Sequence, residues 1–340
     1  MFGVPYITIG IASYNYGKYL RRAFEAIKRQ KFRNFEVLYC DDGSTDESVT
    51  IIQSFIDENP SMEIRLIRGQ NGGVMTNKNR ILENARGTYV MLCDADDWME
   101  DDCLEKLAEA AQKSDADRVV SKIRNVDEHG KIIKIQDFGM HPNKWVEVLH
   151  HGAIYKRKII EDNNLRFELS PDDFCFIEEF NVYSKKTEFV SENLYNWYIH
   201  SDSTAGRGNN KSAWKGDQIL KGVLRQYNKL KGLVAGEDLQ ALEAEVIKYY
   251  YNHLLAGVIE ASTWKEVTQL YKIMHQNIEQ AIPDYKKNKY ISNRHEKIFR
   301  PNVSMVLWGM NLLETVKGLN TAVHLLWCIS KVGIVNKNVI

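Results

Sequence analysis

The chain has 340 residues, 45 Lys and Arg against 45 Asp and Glu, and 44% hydrophobic residues. That length buries a sizeable core and leaves room for an extension, while the balanced charge excludes a protein that coats nucleic acid, which needs a basic excess. The 5 cysteines are widely spread and form no C-x-x-C pair, which excludes a disulfide framework or zinc cluster and fits a reducing compartment.

The opening "MFGVPYITIGIASYN" lacks a basic region, an apolar core and a cleavage site, so no secretory leader is expected. No stretch reaches the ~18 uninterrupted apolar residues of a spanning helix. "YITIGIA" reads as a strand buried on both faces. "YLRRAFEAIKRQ" places Leu20, Phe24 and Ile27 on one helical face. "FEVLYC" is a second strand that ends at Asp41 and Asp42. Ser44 and Glu47 have capping-box spacing and predict the start of the next helix. "EIRLIRG" is a third strand, "TNKNRILENARG" a helix, "YVMLC" a fourth strand and "DDCLEKLAEAAQK" a fourth helix. This alternation predicts an α/β fold with a mostly parallel sheet covered by helices on both faces.

From about residue 118 the pattern changes. "RVVSKIRNV" and "KIIKIQ" predict a hairpin, "AIYKRKIIEDNNLRF" a strand and short helix, and "PDDFCFIEEFNVYSKK" a helix with acidic residues at its start. "EFVSENLYNWYIHSDST" predicts short strands and a loop reaching Gly208. Beyond ~212 the chain turns helical, most clearly in "DLQALEAEVIKYYYNHLLAGVI".

Ligands of such sheets bind beyond the carboxyl ends of the strands. Asp41, Asp42, Asp94, Asp96 and Asp97 all fall at that edge. Asp97, Asp101 and Asp102 also suit capping of the next helix. Asp94 and Asp96 leave the fourth strand two residues apart, and an extended chain would point both the same way. Like charges so placed need a counter-charge, and Mg²⁺ or Mn²⁺ prefers carboxylates plus phosphate oxygens. No G-x-G-x-x-G follows the first strand and no G-x-x-x-x-G-K-[ST] occurs, so the dinucleotide and P-loop modes are not supported.

Three segments in register, "ITIGIASYNYGKYL", "FEVLYCDDGSTDES" and "NGGVMTNKNRILENARGTYVMLCDADDW", resemble the family 2 glycosyltransferases, inverting enzymes of the GT-A fold. The resemblance covers residues 5 to about 205. It implies a Rossmann-like GT-A domain over 1–210, with a nucleotide-sugar half to about 117 and an acceptor half from 118, followed by a helical region over 211–340. It further implies that Ala12 and Tyr14 line a base pocket and that Asp42 accepts a hydrogen bond from a uracil-type ring. Asn71 and Arg80 would border base and diphosphate, Asp94 would hold ribose or sugar, and Asp96 would bind Mn²⁺ or Mg²⁺. A face of Tyr14 and the planar donor fork of Arg80 suit those contacts. The family's general base falls on Asp173, with Asp172, Glu178 and Glu179 as alternatives, because D-D stands here where E-D is common. His200 falls where the family closes a loop over the diphosphate, as metal ligand or phosphate contact; an ordinary loop histidine is the other reading. His150, His151 and Trp145 are candidates for sugar contact, Trp145 equally for the core.

The implied reaction moves a sugar from a nucleoside-diphosphate donor, with UDP favoured, to a hydroxyl of a glycan or lipid-linked acceptor, with bacterial surface-polysaccharide assembly as the setting and no nucleic acid partner. A metal-dependent nucleotidyltransferase shares the sheet and acidic edge but would carry a basic glycine-rich loop, which is absent. A non-catalytic nucleotide-sugar-binding protein is the third class. "NVSMVLWGMNLLETVKGLNTAVHLLWCISKVGIV" is apolar but interrupted by Glu314, Lys317, His324 and Lys331. It reads as a helical bundle against the catalytic domain or a second subunit, or as amphipathic helices on a membrane surface. The expected location is cytoplasmic, at the inner face of the cell membrane in the second case.

Overall fold

A computed structural model describes residues 3–138, 144–145, 150–168, 172–200, 214–293 and 301–331. The chain divides into two compact units, Met1–Glu168 with Glu179–Arg207, and Leu169–Glu178 with Gly208–Ile340.

The first unit opens as the sequence predicts, with strand and helix in turn: β1 (Ile7–Ser13), α1 (Gly17–Lys28), β2 (Phe35–Asp41), α2 (Ser48–Glu58), β3 (Glu63–Arg68), α3 (Gly73–Asn84) and β4 (Tyr89–Asp94). These strands pair in parallel in the order β3-β2-β1-β4. β2 is buried along its whole length, and Ile7, Ile9 and Ile11 of β1 are at most 1% exposed, as a sheet covered on both faces requires. Gly10 lets α3 lie close to β1, since a Cβ there would stand 2.1 Å from Ile81 Cγ2.

The remaining strands close the sheet. β5 (Trp98–Met99) and α4 (Cys103–Ser114) precede the hairpin of β6 (Arg118–Asp127) and β7 (Ile132–Gln136). Then come β8 (Ala153–Lys156), α5 (Arg157–Asp162), α6 (Asp172–Tyr183) and β9 (Thr187–Ile199). The full order is β3-β2-β1-β4-β8-β6-β9-β5, with β7 on β6. Antiparallel partners enter with β8, and the two-residue β5 pairs with β9, so the sheet curls. The short strands expected over 188–199 are one strand of 13 residues, because β9 pairs with β6 through a shifted register instead of breaking.

The expected capping box does not form. Ser44 Oγ accepts the Asn15 amide at 2.9 Å, and α2 starts at Ser48 after Glu47 with no side-chain cap. The 44–47 turn is instead tied to the end of β1, where Asn15 Oδ1 accepts the Thr45 amide at 2.8 Å.

In the second unit, α7 (Trp214–Leu230), α8 (Gly236–Glu260) and α9 (Trp264–Ala281) are followed by a 3-10 turn (Tyr285–Lys287), α10 (Lys289–Ser292), α11 (Pro301–Thr315) and α12 (Leu319–Lys331). α11 and α12 pack on α8 and α9. Two of the polar residues that interrupt their apolar run turn inward. Glu314 is 2.7 Å from His275 Nδ1 and accepts the Tyr250 hydroxyl at 3.4 Å. His324 lies 3.0 Å from Thr268 Oγ1, with its ring 4.0 Å from that of Trp264. These contacts make α11 and α12 part of a bundle. Among the described residues no helix is long and apolar enough to cross a membrane.

Candidate active site

β1 positions the centre of the site. Ala12 stands in register between Cys40 of β2 and Asp94 of β4, so residues that leave these three strands start out as neighbours. Tyr14 follows β1 and is 42% exposed.

Asp42 follows β2 and is buried. Its carboxylate accepts the amides of Gly72 and Gly73 at 3.0 and 2.8 Å, at the N-terminus of α3, and Arg80 Nη1 at 2.7 Å. Arg80 Nη2 donates to Gln70 O at 2.7 Å. The guanidinium lies against Gly69, where a Cβ would stand 2.2 Å from Arg80 Cζ. Arg80 therefore fixes Asp42 and the 69–73 loop. Asn71 is exposed within that loop. Asn77 Nδ2 donates to Cys40 O at 2.7 Å and ties α3 to the end of β2.

The acidic group after β4 is assembled by a turn. The strand ends at Asp94, the Asp97 amide donates to Asp94 O at 3.2 Å, and the chain reverses into β5. Asp94 and Asp96 thus do not share a face of an extended strand, contrary to expectation. The reversal still gathers Asp94, Asp96 and Asp97, each with a carboxylate oxygen within 4.8 Å of the others. Asp97 caps no helix: its carboxylate accepts the Tyr195 hydroxyl and the Tyr198 amide, both at 2.8 Å, which pins the turn to β9. Arg22 of α1 braces the same turn. It donates to Asp96 O at 2.6 Å, and its guanidinium sits 4.1 Å from the Trp98 ring and 3.9 Å from that of Tyr198.

Imidazoles supply the opposing polarity. His200 Nε2 is 2.8 Å from Asp96 Oδ2, and His200 Nδ1 is 2.9 Å from the Tyr19 hydroxyl. His151 Nε2 is 2.8 Å from Asp94 Oδ2, its ring stacks on Trp197, and the His150 ring lies 4.0 Å away. Among the described residues, no Lys or Arg side chain forms an ion pair with Asp94, Asp96 or Asp97. The three carboxylates consequently titrate apart. Burial opposes the charge of Asp94, but His151 and His150 outweigh it and hold the carboxyl well below its usual range. Burial and then the Asp94 charge push Asp96 up. Burial pushes Asp97 well up, with His151 opposing and Asp94 and Asp96 adding to the rise.

Asp173 lies in the first turn of α6 and is half-buried, whereas Glu178 and Glu179 further along are buried. Asp173 and Glu178 both act on the Tyr249 phenol, whose pKa is raised first by burial and then by the charges of Glu245, Asp173 and Glu178. The Asp172 side chain and residues 201–213 lie outside the described residues. Trp145 is 1% exposed and belongs to the core, which removes it as a sugar-stacking face.

Sequence reasoning did not anticipate Tyr19, Arg22, Tyr195 or the docking of His151 on Asp94. His150 and His151 were visible as a histidine pair, but nothing in their spacing pointed to an aspartate 57 positions earlier.

The profile of the family described as Glycosyl transferase family 2 matches residues 8–184. Glycosyltransferase GlyG of Streptococcus pneumoniae serotype 4 is 28% identical over 222 residues, which cover 58% of this chain and 72% of that protein. The crystal structure of S. aureus TarS 1-349 in complex with UDP-GlcNAc superposes with a TM-score of 0.73 at 16% identity, covering 96% of this chain and 92% of the other. Mannosyltransferase PcManGT from Pyrobaculum calidifontis, in complex with GDP-Man and Mn2+, superposes with a TM-score of 0.51 at 15% identity, covering 96% and 87%. The chain belongs to glycosyl transferase family 2 and is a glycosyltransferase of the GT-A fold.

Proposed function

We propose that the chain transfers a sugar from a UDP-linked donor to a hydroxyl of a glycan or lipid-linked acceptor, with inversion and with a divalent metal. The observation that carries this reading is the crowding of Asp94, Asp96 and Asp97 against the imidazoles of His150, His151 and His200, with no Lys or Arg ion-paired to them among the described residues. Carboxylate oxygens suit Mn²⁺ or Mg²⁺, and an added imidazole nitrogen favours Mn²⁺ of the two, so Asp96 and His200 would hold the ion. Bound there, it would supply positive charge against the departing diphosphate. The bound UDP-GlcNAc and Mn2+ of the two structural neighbours support donor and metal of these classes.

The residues of the chain divide the remaining work. Tyr14 offers its face to the base, beside Ala12. Asp42 accepts the ring N–H of a uracil, its carboxylate held in position by Arg80 and the α3 amides. Asn71 borders the base and diphosphate from the loop that Arg80 fixes. Asp94, kept charged by His151, accepts hydroxyls of the ribose or sugar. His150 and His151 form the wall behind it. Asp173 takes the proton of the acceptor hydroxyl as its oxygen attacks the anomeric carbon. The bond to the diphosphate breaks from the opposite face through an oxocarbenium-like transition state. The diphosphate leaves without protonation, so one carboxylate suffices. The half-buried position of Asp173 favours it over the buried Glu178 and Glu179. In this reading residues 1–117 bind the donor, residues 118–210 the acceptor, and the setting is surface-polysaccharide assembly on the cytoplasmic side.

A panel of nucleotide sugars, scored by thermal shift and by hydrolysis with and without Mn²⁺, tests the proposal. A metal-dependent response to a UDP-sugar is expected. Release of pyrophosphate from a nucleoside triphosphate would replace the reading with nucleotidyl transfer.

A further inference from the structure

α11 carries an apolar stripe that the bundle leaves uncovered. Met305, Val306, Leu312, Leu313 and Val316 recur at helical spacing and are all exposed, Met305 by 63% and Val316 by 64%. These are large apolar side chains grouped on α11 and the residue that follows it, unlike the scattered exposures of an ordinary surface. The one carboxylate on the helix, Glu314, turns away from this face into the bundle, where His275 and Tyr250 hold it. On neighbouring α12, Leu325 is 61% exposed.

We propose that this face of α11 docks on an anionic lipid surface. Charge selects the occupant. From Tyr285 to the last residue the sequence holds 9 Lys and Arg against 2 Glu, in a chain whose 45 basic and 45 acidic residues balance overall. With Glu314 withdrawn, α11 presents its apolar stripe with no exposed carboxylate, and the exposed Lys317 follows it directly. Lys287 and Lys289 pair with Asp284 and Glu237 across open surface, where such contacts are weak and yield to lipid headgroups. Anionic headgroups attract basic residues next to an apolar helix face, and such a face settles into the boundary of headgroups and chains. A second copy of the chain would offer no exposed carboxylate from α11 to pair with Lys317, so charge does not favour self-association through this face. The docking lies parallel to the membrane, because no described helix is long and apolar enough to cross it. The inference stands apart from the transfer chemistry.

Flotation of the full chain with vesicles of equal parts phosphatidylglycerol and phosphatidylcholine tests it, with pure phosphatidylcholine as the comparison. The wild type floats with the mixed vesicles and not with the neutral ones, and Leu312→Glu with Val316→Glu lowers the bound fraction by about tenfold or more. Should circular dichroism show that this double variant is unfolded, Met305→Gln at another highly exposed position takes its place, with a smaller loss expected. Failure of the wild type to float, or flotation of a folded variant like wild type, overturns the proposal. So does light scattering that shows a wild-type dimer turned to monomer by the same substitutions, which would assign the face to a second copy.

Discussion

In the first unit, Asp94, Asp96 and Asp97 crowd together at a turn beyond β4, one of them half-buried, with imidazoles as the only basic side chains within ion-pair distance among the described residues. In the second unit, Glu245 and Glu314 are buried singly among helices, one beside Lys248 and the other held by His275 and Tyr250. Both arrangements bury charge, at a desolvation cost that partners must offset. They differ in what the partners leave over. Glu314 is consumed by contacts that join α8, α9 and α11. The first-unit group keeps its charges crowded, and a ligand cation would relieve that crowding. A buried carboxylate alone is thus no sign of a site; crowding at the end of a parallel strand is.

The sharpest test contrasts two carboxylates of the second unit, the proposed base Asp173 and the buried Glu314. Asp173→Asn should lower the transfer rate by about 10²–10⁴-fold, the usual contribution of a general base, with little change in melting temperature. A variant that transfers sugar at the wild-type rate would move the base elsewhere. Glu314→Ala should do the reverse. It leaves His275 and Tyr250 facing a void and costs about 3 kcal/mol of stability, read as a lower denaturant midpoint, while kcat at a temperature below the transition stays at the wild-type value.

Glu245 sharpens the second-unit side through pH. Burial pushes its carboxyl from an ordinary 4.5 up to about 6, with Lys248 pulling the other way. The fold therefore binds this proton more tightly than the unfolded chain does. The stability linked to it is present below about 4.5 and is lost as pH rises through about 6. Glu245→Gln removes that dependence. The stability difference between wild type and variant should change by at most about 2 kcal/mol across the interval. Glu314, also raised by burial, keeps a slope of the same sign in both proteins. A flat difference would show that Lys248 keeps Glu245 charged throughout. The smallest effect belongs to Gly69→Ala. Its Cβ displaces the Arg80 guanidinium from Asp42, and loss of that brace should weaken UDP binding by about tenfold, the value of one charge-assisted hydrogen bond, with no change in fold by circular dichroism.

Much of the first unit was legible because its information is local. The β-branched runs of β1, β2 and β4, and the helical periodicity between them, depend on neighbours a few residues apart. The acidic edge followed from strands that end in Asp42 and Asp94. What stayed hidden depends on distant partners. The turn that gathers Asp94, Asp96 and Asp97 is held by Tyr195, Tyr198 and Arg22, and β5 is only two residues long. The capping-box spacing misled because Ser44 found a better donor in the Asn15 amide. In the second unit, Glu314 and His324 read as breaks in an apolar stripe. Their inward orientation depends on His275, Tyr250, Thr268 and Trp264 on other helices.

The proposed transfer requires a metal and a nucleotide to meet at Asp96, and calorimetric titration of UDP with and without Mn²⁺ tests that most directly, free of any question about sugar or acceptor. Wild type should bind UDP with Mn²⁺ present, and affinity should fall at least about tenfold when the metal is chelated or when Asp96→Ala is titrated. Equal affinity in all three titrations, or no UDP binding by the wild type, would contradict it.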